Sequence, residues 1–103
     1  MDEGKTTIAP EVITTIARLT TLSVEGVSRM VHRGFTDGVR LDVQEGVVSA
    51  DLYVILKNGV NIREVSRNVQ QQVGRAISEM VGMQVGRLNI HIEDIEYPGE
   101  SED

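Results

Sequence analysis

The sequence predicts an α+β fold, a two-layer sandwich with two helices packed on one face of a mostly antiparallel sheet, in the order β-α-β-β-β-α-β. Three observations carry that prediction. Val39, Leu41 and Val43 alternate with Arg40, Asp42 and Gln44, and Leu88, Ile90 and Ile92 alternate with Arg87, Asn89, His91 and Glu93, the period-two pattern of half-buried strands. Between these runs, Ile62, Val65, Val69, Val73, Ala76, Ile77 and Met80 fall within one arc of about 120° on a helix. A chain of 103 residues supports one two-layer core, burying roughly 60 to 65% of its unfolded surface.

The elements follow in order. Thr6 to Ile8 read as a short first strand, and Pro10 suits the first turn of a helix, where its missing N–H is not needed. That helix runs to about Ser23, with Val12, Ile16 and Leu19 as its buried stripe. Ile13, Ala17 and Leu22 flank the stripe, and Glu11, Thr14, Arg18 and Thr21 lie on the far side. Gly26 ends the segment, and Val27 to Arg33 form a strand leading into a loop with two glycines, Gly34 and Gly38. Glu45-Gly46 is a two-residue hairpin turn, after which Val48, Ala50, Leu52, Val54 and Leu56 continue the apolar face. Asn58-Gly59 is a second turn. Asn61 caps a helix reaching to about Met80, with Glu64 at its third position, and Gly82 stops it. Residues 1–95 form a single domain and 96–103 an acidic, disordered tail.

The core is aliphatic, since Phe35, Tyr53 and Tyr97 are the aromatics. There is no cysteine, which excludes disulfides, thiolate metal sites and a cysteine nucleophile and fits a reducing cytoplasm. Neither a signal peptide nor a run of the ~18 apolar residues that crosses a bilayer is present, so no direct membrane insertion is expected. Residues 93–103 hold six carboxylates and no Lys or Arg, while the first 92 residues carry ten charges of each sign. A neutral body with an acidic tail is a poor binder of polyanions, because nonspecific nucleic-acid affinity comes from neutralised phosphates.

No constellation for catalysis emerges. His32 has Asp37 nearby in sequence and His91 has Glu93, but metal or acid–base chemistry needs more convergent groups than that. Phosphate-cradling loops, nucleophile elbows and zinc spacings are missing. No catalytic, cofactor-binding or metal site is expected. The candidate partner-binding residues are Arg63, Arg67 and Arg75 on the outer side of the second helix, a basic ridge for an acidic partner or for the tail of a neighbouring copy. The competing reading is a solvated face, with Glu64 pairing Arg67 and Arg75 pairing Glu79 along the helix.

Asn58-Gly59-Val60-Asn61-Ile62, Val69-Gln70, Met80-Val81-Gly82-Met83-Gln84-Val85 and Leu88-Asn89-Ile90-His91-Ile92, with Ile8-Ala9-Pro10-Glu11-Val12-Ile13 and Glu25-Gly26-Val27 earlier, resemble the alkaline shock protein family. These are envelope stress response domains of Gram-positive and related bacteria. The resemblance implies a cytoplasmic, non-enzymatic interaction module. It also implies self-association into a homo-oligomer and recruitment to the inner face of the envelope by a partner, a small membrane-anchoring protein. The alternative is a small α/β RNA-binding module, opposed by the charge balance and by the shortage of aromatics for base stacking.

Overall fold

The computed structural model describes residue 4 and residues 6–32 and 37–97. Helix α1 spans Pro10–Ser23, followed by strands β1 Val27–Met30, β2 Val39–Gln44 and β3 Val47–Lys57. Helix α2, Ile62–Ala76, runs on into a wider π-helical turn, Ile77–Val81, before strand β4, Gln84–Glu96. The α+β class and the order of elements from α1 onward are those the sequence predicts. The first strand is not formed: Thr6 to Ile8 are irregular, and Ile8 is half-buried against the core, so its apolar side chain serves packing instead of strand pairing. Of the expected acidic tail, Glu96 closes β4 and Tyr97 follows it; residues 98–103 lie outside the described residues.

Strand β3 is the centre of the sheet. It pairs in parallel with β4 along its length, from Val47 opposite Gln84 to Lys57 opposite Glu96. The crossover through α2 is what allows a parallel neighbour. The other edge of β3 is shared end to end, with β2 antiparallel to its first half and β1 antiparallel to its last residues. Two of the three pairings are therefore antiparallel, and β4 is outermost on its side.

Local chemistry sets the joints. Glu45 and Gly46 both have positive φ, 51° and 78°, the conformation a tight two-residue hairpin requires. Asn61 Oδ1 accepts from the Glu64 N–H at 3.0 Å, satisfying one of the amides left over at the start of α2. Gly82 is left-handed with φ 77°, and its N–H donates to the Ile77 carbonyl at 3.1 Å, which ends the helix in the way the sequence predicts.

The core forms where α1 and α2 meet the inner face of β3. Val48, Ala50, Leu52, Val54 and Leu56 are buried there under Val65, Val69, Val73 and Ile77 of α2 and its π turn. Helix α1 is rotated from its expected setting. It buries Ile13, Ala17 and Thr21, whereas Val12 and Leu19 remain 48% and 55% exposed. Thr21 tolerates complete burial because its hydroxyl donates to the Ala17 carbonyl one turn back, at 2.8 Å. Apolar residues cover so much of α1 that their spacing leaves its rotation open, and contact with β1, β2 and α2 decides it.

Candidate interaction surfaces

Among the described residues no helix covers the sheet's outer face, and it carries the polar residues that the alternation predicts. Register sets Arg40 opposite Asp51 and Asp51 opposite Asn89, with Tyr53 opposite His91 in the next row. Asp51 Oδ1 accepts from Asn89 Nδ2 at 3.1 Å and lies 2.9 Å from His91 Nε2. The His91 ring in turn stacks on Tyr53, centroids 4.6 Å apart and planes 14° from parallel. The hydrogen bond from His91, aided by Asn89, holds the Asp51 carboxyl below its ordinary value against the opposing effect of partial burial.

Sequence reasoning placed Glu93 beside His91; the partner seen for the imidazole is Asp51, forty residues away and contributed by the neighbouring strand. Only the strand register could have revealed it. Ser49 was also missed. Its Oγ accepts from the Arg87 N–H at 3.0 Å, and a Cβ on Gly86 would stand 2.5 Å from that oxygen. Arg40, Asp42, Ser49, Asp51, Arg87 and Asn89 line a shallow groove. Two of its contacts cross between strands, Asn89 to Asp51 and the Arg87 N–H to Ser49. Such a face can meet a polar surface of mixed sign.

At the other histidine, His32 Nδ1 lies 3.2 Å from Asp37 Oδ1, as the sequence suggested, and Arg18 Nε stands 4.0 Å from the same carboxylate. His32 and Asp37 are exposed and Arg18 half-buried. Among the described residues, no group of three or more His, Cys, Asp or Glu is placed to hold a metal ion.

Arg63, Arg67 and Arg75 are all exposed on α2. The pairs Glu64 with Arg67 and Arg75 with Glu79, which would have made the helix self-sufficient, are not formed, and no ion pair among the described residues engages the three guanidinium groups. A different surface runs along α1, where Val12 and Leu19 are exposed beside half-buried Ile16. No described helix is long and apolar enough to cross a membrane.

A helix-backed mixed sheet with exposed polar, basic and apolar patches defines a small α+β domain. The chain belongs to the alkaline shock protein family, described as having a cell envelope-related function, whose family pattern matches residues 1–97. It is 35% identical over 102 residues to the uncharacterized protein Spy1535 of Streptococcus pyogenes serotype M6, covering 89% of this chain and 79% of that one. To the uncharacterized protein YqhY of Bacillus subtilis it is 29% identical over 114 residues, covering 97% and 83%. Among solved structures, the copper form of the MamM CTD superimposes with a TM-score of 0.68 at 18% identity, covering 91% of this chain and 93% of that one. A second MamM CTD structure, H264E, gives 0.66 at 18%, covering 84% and 95%. At that identity the likeness is one of fold.

Proposed function

We propose that this protein is a non-enzymatic interaction module that self-associates and is held at the cytoplasmic side of the envelope by a membrane-anchoring partner. The observation that carries the reading is the set of three arginines on α2, exposed and without a described ionic partner, in a family with envelope-related function. Arg63, Arg67 and Arg75 serve as the docking ridge. An acidic segment fits it, either from the partner or from the sequence beyond β4 of another copy, which carries Glu100, Glu102 and Asp103. Exposed ion pairs contribute only about 0–1 kcal/mol each and are screened by salt, so such docking is reversible and needs several contacts at once.

The test is affinity capture from the native membrane fraction at low and high salt, using the wild-type chain and the triple variant Arg63→Gln, Arg67→Gln, Arg75→Gln. The reading expects a small membrane protein to be retained by the wild type at low salt and lost by the variant. Equal recovery on both baits would remove the ridge from the account, and recovery of no membrane protein on either would remove recruitment.

A further inference from the structure

We infer that the outer edge of β4 is a self-pairing edge, on which a second copy of this chain adds its own β4 antiparallel about a two-fold axis through Ile90. The inference rests on the self-association reading above and gives that association a surface.

The edge is open by construction. Strands β1 and β2 use one side of β3 and β4 uses the other, so among the described residues no strand pairs with the far side of β4. At 13 residues it is much longer than the usual ~5–6, and it contains no proline or lysine, two of the residues that commonly protect an edge. One of its backbone acceptors, the Leu88 carbonyl, takes a hydrogen bond from the Gln70 amide of α2 at 2.9 Å; a pairing strand displaces that amide or uses the oxygen's second lone pair.

The register against β3 shifts between Val85 and Leu88 and again between Ile92 and Asp94. Between these irregularities lies one regular stretch, Leu88 to Ile92, with Ile90 at its middle. Antiparallel pairing about Ile90 sets Leu88 against the partner's Ile92, and Asn89 against the partner's His91. Ile90 meets its own copy on the axis. Leu88, Ile90 and Ile92 pack against the core but are only half-buried, because β4 is outermost; a second strand continues the sheet and covers their open side. On the other face two polar side chains meet, with no like charges opposed. A two-fold contact of this kind is complementary to itself and closes at two copies. Its ladder is made of backbone hydrogen bonds, so it persists in salt that dissolves the arginine contacts.

Two measurements test it. The first is amide hydrogen exchange at low and high protein concentration in high salt, with the mass followed by sedimentation in the same samples. Protection of Leu88–Ile92 should rise as dimers form, while α2 amides stay unchanged. The second exploits the lack of cysteine. Asn89→Cys and His91→Cys chains, each checked for folding by circular dichroism, are mixed and oxidised. The mixed disulfide should form faster than either homodimeric one, and Arg63→Cys chains should not cross-link at that rate.

Dimers without added protection at Leu88–Ile92, or without the preferred mixed disulfide, would overturn the edge and leave self-association standing. A chain that remains monomeric at every concentration and salt would overturn both. Protection that appears only when a captured membrane partner is added would give the edge to that partner and sink the self-pairing.

Discussion

Asp51 and Gly86 show how single residues set the outer face. The Asp51 carboxyl is held below its ordinary value chiefly by His91, so its stabilising effect is present above about pH 4, the unfolded carboxylate range, and is lost as the pH falls through the depressed folded value. Asp51→Asn should therefore cost about 0–1 kcal/mol at neutral pH, given the group's partial exposure. It should also flatten the acid limb of a stability–pH curve measured by urea denaturation; an unaltered acid limb would show that the carboxylate contributes nothing there. Gly86 is needed for space: an added Cβ would meet Ser49 Oγ at 2.5 Å and Val47 Cγ1 at 3.0 Å. Gly86→Ala should destabilise by about 1–3 kcal/mol, the usual cost of overpacking. Ser49→Ala introduced with it should recover part of that loss in a double-mutant cycle, a coupling that independent sites would not show.

Among the elements, α1 marks the limit of what periodicity can specify. Its class and length were legible from Pro10 and the apolar spacing, but its rotation was not. Val12, Ile13, Ile16, Ala17, Leu19 and Leu22 spread over more than half its circumference, and a threonine with a local hydroxyl acceptor could be buried as readily as a valine. The setting is testable. Leu19→Lys should change stability by no more than about 0.5 kcal/mol, as for an ordinary surface position, whereas Thr21→Lys should unfold or strongly destabilise the domain. The reverse ranking of denaturation midpoints would restore the stripe first expected. Helix α2 was read correctly in its middle, and Val69→Ala should cost about 1–3 kcal/mol through lost burial and a cavity, since Val69 is fully buried. Its ends were less legible: Ile62 and Met80 belong to the apolar arc yet are 47% and 69% exposed; Ile62 is the first residue of α2, and in the wider turn Ile77–Val81 the buried positions are Ile77 and Val81.

For the molecule as a whole, the two-layer sandwich was visible because strand and helix periods alternate cleanly after Val39. The tandem arrangement of β1 and β2 on one edge was not, since no local pattern says which strands share a neighbour. The same gap hid the Asp51–His91 contact, which depends on parallel pairing across forty residues. A non-enzymatic module should show no change in melting temperature on addition of zinc, magnesium or nucleotides. A ligand at a hundred times its dissociation constant would add about 2.7 kcal/mol, several degrees for a domain of this size. The central claim is self-association, with salt-sensitive contacts at the α2 arginines. Sedimentation velocity of the wild type and of the Arg63→Gln, Arg67→Gln, Arg75→Gln variant, each at low and high salt, tests it most directly. The account predicts larger assemblies for the wild type at low salt, reduced alike by salt and by the substitutions, with both proteins folded. A monomer under all four conditions, or assemblies indifferent to both changes, would contradict it.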